Sequence, residues 1–307
     1  MQVSRLEPVA SQEIKKPLID KRVAPYLFIA PSICIIFAFA VYPIIAGFIG
    51  SFFTWSITSP EKVWVGLHNY ERVFGDRFYW QYLGQTFYYA IGSVTLGLLV
   101  SMIVALIVNA MPERLGKITT SVAFIPVVTS AVAVSLIWRW IYQPQFGLLN
   151  QVLKQLGFSP QGWIMSKELA MPSLIIMVIW KGLGYNLVLL LAGMQNISPH
   201  FYEAAQLDGA NRFQIFTNIT IPLLMPTITF LIVMGTIGSL QVFTEPYLLT
   251  EGGPGGVTRV TAMYIYTTAF NYGRMGLGSA MAFVLFIFIL ILTLIQMRYF
   301  RAREVTF

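Results

Sequence analysis

Lys181, in the sequence WKGLGYN, is the one charged residue between Ala170 and Met194. At about 1.5 Å per helical residue it lies roughly 15 Å from the nearer end of that stretch. A hydrocarbon core is about 30 Å thick, so this depth is close to the midplane. A cation there either lines a polar pathway or is paired structurally, with an acid of a partner subunit or a helix carboxyl end. The sequence leaves both readings open. Gly182 and Gly184 loosen the helix beside it, and Tyr185 and Asn186 add groups able to bond hydroxyls. A second polar cluster, GSLQVFTE, holds Ser239 and Gln241 and offers the ring of Phe243 for stacking. Gly235 and Gly238 nearby read as sites of close helix packing.

The third place is the segment from Gln195 to Met225, which is long, amphipathic and polar. Ser198 can cap a helix begun by Pro199, and Gly209 can supply the left-handed backbone that ends it. A second helical stretch, Asn211 to Ile219, puts Phe213, Phe216 and Ile219 at helical spacing before Pro222 and Pro226.

Other chemistries find little support. There is no phosphate-cradling GxxxxGK[ST] loop, so the chain is not an ATPase by that route. His68 and His200 belong to no metal-ligand spacing, and the single cysteine, Cys34, provides no thiolate site, which argues against a membrane enzyme. An ion-driven carrier would show acids inside its spans, and no Asp or Glu falls within the expected ones.

The elements that must position these residues follow from composition. With 56% hydrophobic and 11% charged residues, the chain cannot coat a globular surface and needs a lipid solvent. The net charge of +7 is scattered over membrane flanks, with no basic stripe for nucleic acid. Six windows are apolar enough to span: about Tyr26 to Phe53, Thr86 to Ala110, Ile118 to Trp138, Ala170 to Met194, Pro226 to Thr244 and Met275 to Met297. Pro126 should kink the third. The expected class is an all-α integral membrane protein. It divides into an amino-terminal tail at 1–22, a six-helix domain at 23–300 containing the loop at about 195–225, and a tail at 301–307. Segments on the side of both termini carry 11 Lys and Arg against 8 in the longer opposite loops, so both termini are expected in the cytoplasm. The outer loops are then about Thr54 to Gln85, Arg139 to Glu168 and Glu245 to Arg274, with six tryptophans in or beside them.

Glu203, Ala204, Ala205, Gly209, Ile219 and Pro222 together resemble the EAA pattern of ATP-binding-cassette importer permeases, with Ile221 where leucine is usual. GLHNYERVF at Gly66, GLLNQVL at Gly147 and LLTEGGPGGVT at Leu248 are similar to the binding-protein-dependent sugar permeases of the maltose-type first subunit. The resemblance implies the type I (MetI-like) permease fold, in a bacterial plasma membrane. It implies a coupling helix in which Glu203 bonds an ATPase, Ala204 and Ala205 permit close approach and Gly209 turns the chain. Asp208, Ile219 and Pro222 complete that set. It further implies a second homologous permease as heterodimer partner, two ATPase subunits that bind ATP and Mg, an extracytoplasmic sugar-binding protein, and no cofactor on this chain. Substrate contacts would fall in the two polar clusters, where Gly182, Tyr185 and Ser239 match best by position. Lys181, Asn186, Gln241 and Phe243, which could stack on a sugar, complete the expected pathway. A glycerol-phosphate or other polyol permease is the alternative, since Lys181 could face an anion.

Overall fold

The computed structural model describes residues 24–58 and 61–301. The expected tail at 1–22 and residues 302–307 lie outside the described residues. The chain divides at Gly50 into two compact units. The first holds an apolar helix, Tyr26–Gly50, built from α1 (Ala24–Ile36), a π-turn at Phe37–Val41 and α2 (Tyr42–Gly50). Pro31 lies inside it, a placement membrane helices tolerate.

The second unit opens with a two-stranded ribbon, β1 (Phe53–Thr54) and β2 (Val63–Trp64), paired antiparallel with Phe53 opposite Trp64. The short helix α3 (His68–Gly75) leads into α4 (Arg77–Asn109). Asp76 caps α4 by accepting from the Phe78 amide at 2.9 Å. A helix of 33 residues is about 50 Å long, so α4 outreaches a hydrocarbon core. That is why it starts at Arg77 and not at Thr86: its first turns are an extramembrane extension that polar residues can occupy.

The third expected span is broken. Helices α5 (Glu113–Val128) and α6 (Ala131–Ile141) meet at 99°. Pro126 leaves the carbonyl one turn earlier without its donor. The chain turns three residues later, where Thr129 and Ser130 are extended (ψ 139° and 133°). Tyr142, just past α6, donates its hydroxyl to the Ser173 carbonyl at 2.8 Å and holds the corner. Among the described residues, five helices are long and apolar enough to cross a membrane, and this bent pair makes a sixth when counted as one span.

After α7 (Leu148–Gln155) and a 3₁₀ turn at Trp163–Met165 comes α8 (Ala170–Gln195). Then follow α9 (Pro199–Leu207), α10 (Arg212–Ile215), a π-turn at Phe216–Thr220 and α11 (Ile221–Leu240). Helices α12 (Thr244–Thr250) and α13 (Thr261–Tyr266), a π-turn at Thr267–Asn271 and α14 (Met275–Arg301) complete the unit. Asn109, Glu113 and Gln195 share one cavity and so mark one face of the bundle, here the near face. Gln81, Lys167 and Val257 share another and mark the far face.

Helix α8 is the spine. Its Leu174, Met177, Leu187 and Leu190 are fully buried, against α4 and α6 above and α11 below. At Gly184 the backbone of α5 comes so close that an added Cβ would meet the Ala123 carbonyl oxygen at 2.2 Å. Gly182, two residues away, opens onto free space. Gly184→Ala is therefore expected to cost about 1–3 kcal/mol by overpacking. Thermal unfolding in detergent should show a lowered midpoint for Gly184→Ala and little change for Gly182→Ala.

Candidate functional site

On the near face, α8 ends at Gln195 and α9 begins at Pro199. Ser198 holds the N-cap position but makes no side-chain cap bond, contrary to the expected cap; Pro199 at the first helical position needs none for its own nitrogen. Gly209 (φ +77°) reverses the chain, and the Ala210 amide reaches back to the Ala205 carbonyl at 2.9 Å. Asn211 and Gln214 then form a reciprocal capping box at 2.9 and 2.8 Å. From Arg212 the helix runs on to Leu240 through Pro222 and Pro226, so that the expected second helical stretch and the fifth span are one helix. Pro222 lies just after the π-turn that contains Ile219, in the first turn of α11, where a missing amide is tolerated.

The side chains of α9 divide by face. Glu203, Ala204, Gln206, Leu207 and Asp208 are exposed, whereas Ala205 is buried. Ala205 therefore serves the chain's own core, and Ala204 alone is free for close approach from outside. Glu203 lies 3.5 Å from His200, both well exposed. Tyr202 packs on the cluster of Met194, Ile197 and Leu224, which ties α9 to α8 and α11. Leu207 is 90% exposed and Phe213 74%, an apolar pair on the loop's outer surface. Leu207 was not singled out from sequence; its signal is an apolar residue directly before the Asp-Gly turn of a solvent helix.

At mid-depth, Lys181 Nζ lies 3.1 Å from Glu245 Oε1. The two side chains keep only 20% and 16% exposure. The acid belongs to this chain, neither to a partner subunit nor to a helix carboxyl end, the two sources expected. Glu245, expected at the start of an outer loop, lies in the first turn of α12, which packs on α6 and α8.

Phe243 precedes α12, and its ring stacks on Tyr247 at 5.1 Å and meets Tyr266 at 5.2 Å; Tyr266 in turn contacts Phe270. These rings form a half-exposed ladder. Ser239 is not free: its hydroxyl shares a 3.1 Å bond with Ser93 of α4. Gln241 and Tyr185 are exposed, Asn186 half-buried, and Gly182 and Gly238 face open space. Gly235 approaches Val94, as close packing requires, but Gly238 does not pack. The structure thus brings Lys181, Glu245, Phe243 and Tyr247 together and turns Ser239 away from the open side.

The far-face motifs have structural work. Asn69 donates to the Ser51 and Phe53 carbonyls at 2.8 and 3.0 Å, fixing α3 under the ribbon. Asn150, almost wholly buried, bonds the Pro144 and Gln161 backbone and accepts from the Trp163 indole at 2.8 Å. Tyr264 donates to Asp76 at 2.6 Å; burial, then the neighbouring carboxylate, push its hydroxyl above the usual tyrosine range. Arg139 reaches Glu251 at 3.4 Å beside the Gly252–Gly256 turn. The near-face cavity, about 880 Å³ and lined by Asn109, Glu113, Lys117 and Gln195, lies apart from the Lys181–Glu245 pair. Among the described residues no cluster of His, Cys, Asp and Glu could hold a metal ion.

A family model described as the binding-protein-dependent transport system inner membrane component matches residues 73–304. The arabinooligosaccharides transport system permease protein AraP of Bacillus subtilis is 35% identical, over 91% of this chain and 89% of that protein. The trehalose/maltose transport system permease protein MalF of Thermococcus litoralis is 34% identical, over 91% and 94%. A crystal structure of a bacterial ABC transporter that imports the acidic polysaccharide alginate superposes with a TM-score of 0.81 at 25% identity, over 92% of this chain and 96% of that one.

The capping box gives the loop its rigidity, at about 1 kcal/mol. Asn211→Ala should speed hydrogen exchange of the Gln214 amide roughly fivefold, read by mass spectrometry or NMR.

Proposed function

Because the chain belongs to the binding-protein-dependent transport system inner membrane components, the multi-pass transport subunits of ATP-binding-cassette importers, we propose that it translocates a mono- or oligosaccharide. The protein works with partner subunits and is a transport component. In our reading the partners are a second, homologous permease, two ATPases and an extracytoplasmic sugar-binding protein. The membrane is the bacterial plasma membrane, and the near face is the cytoplasmic one. ATP and Mg belong to the ATPases, and this chain needs no cofactor of its own.

The observation that carries this reading is one connection: α9, exposed on the near face, is packed into the same cluster as the near-face ends of α8 and α11. Those two helices hold Lys181 and lead into Phe243 and Glu245. An ATPase cleft closing on ATP would push α9 through Glu203, Ala204, Asp208 and Leu207. Interdigitated side chains transmit such a push as a body motion, since packed interiors deform little. The far-mounted polar wall then turns from an inward-open to an outward-open state, to meet a loaded binding protein at the far-face loops. The aromatic ladder of Phe243, Tyr247 and Tyr266 supports a saccharide as cargo, because ring faces suit the apolar faces of sugar rings. The saccharides for which AraP and MalF are named support the same class.

Reconstituted with its ATPases and binding protein, the importer should couple labelled sugar uptake to ATP hydrolysis. Glu203→Lys and Leu207→Asp should each lower uptake and sugar-stimulated hydrolysis at least about tenfold, as loss of a central interface anchor does. Transport that persists without the ATPases would refute the reading.

A further inference from the structure

Lys181 and Glu245 are the ionisable pair at mid-depth, and each is mostly covered. The residues around them that remain open are uncharged: Gly182 and Tyr185 on α8, Gln241 at the end of α11, and the Phe243–Tyr247 stack. Exposed amides and hydroxyls at this depth do not suit lipid, so this side faces a cavity or a partner. A lone ammonium in a low-dielectric cavity would attract any anion that entered. With Glu245 at 3.1 Å the wall carries no net charge.

We propose that Glu245 is a specificity-determining residue: by neutralising Lys181 it fits the pathway to uncharged saccharides and turns away those bearing uronate or phosphate. This rests on the sugar-import reading above. Glu245 acts through Lys181 and need not touch the cargo.

The test uses the complete importer in proteoliposomes, with labelled maltotriose and arabinotriose as neutral probes and digalacturonate and glycerol 3-phosphate as anionic ones. The native complex should carry a neutral probe, and excess anion on either side of the membrane should leave that uptake unaffected. Glu245→Gln should lower neutral uptake at least about tenfold, because it strands a buried charge. The residual uptake should become sensitive to digalacturonate. The double variant Lys181→Met with Glu245→Gln should regain most of the native rate and lose the sensitivity, which also shows that neither position is needed merely for folding. A double variant no better than the single, or a Glu245→Gln complex blind to anions, would overturn the proposal. A native complex that carries digalacturonate beside the neutral sugars refutes the charge filter and leaves sugar import intact. One that carries no saccharide removes both.

Discussion

A hydrocarbon interior cannot solvate an ammonium ion, and the architecture around α8 answers that constraint at Lys181. The acid that neutralises it is Glu245, which lies just beyond the fifth expected span. Helix α12, which follows α11 and packs on α6 and α8, supplies it. Beyond the 99° corner at Thr129–Ser130 in the third span, α6 gives α12 a second helix to pack on. Buried Val134, Met177, Val242 and Leu249 fill the space so enclosed. The ion pair thus joins the middle of α8 to the first turn of α12, beside the aromatic ladder. Removing either partner would leave a charge that costs more than the bond contributed.

The near face follows a different logic. Its loop is held by backbone geometry: a left-handed Gly209, a reciprocal Asn211–Gln214 cap, and a π-turn that lets the helix absorb Pro222 without breaking. Only one side of α9 is left free. The other side is anchored by Ala205 and Tyr202, so a force applied at Glu203 or Leu207 reaches α8 and α11 with little slack. The coupling site lies at the near-face ends of α8 and α11, and the polar wall at mid-depth on the same packed unit.

Much of this was legible in the sequence. Spans such as Ala170–Gln195 and Met275–Arg301 emerge from long apolar runs, the first interrupted only by Lys181, because bilayer thickness sets their length. The α9 turn was readable because Pro199 and Gly209 have backbone preferences that do not depend on context. Tertiary contacts decided the rest. No local signal pairs Lys181 with a residue 64 positions away. Pro126 announced a disturbance without its angle, which the packing of α6 sets. Ser239 reads as a pathway hydroxyl until α4 presents Ser93, and Gly182 and Gly184 look alike until α5 fills the space beside one of them. The motifs around Asn69 and Asn150 show in sequence only a resemblance; in the structure their side-chain amides are the knots that hold the far-face loops.

The most direct test of coupling through a single packed body is a distance measured inside this chain across the ATP cycle. Spin labels at Gln206→Cys and Gln241→Cys, in a Cys34→Ser background, would report on the coupling helix and the polar wall together. If the two move as one body, the distance distribution is the same in the nucleotide-free and ATP-trapped complexes, while distances from either label to the partner permease change. A distribution that shifts between those states would show that the loop moves independently of the wall, and transmission through α8 and α11 as a unit would be contradicted.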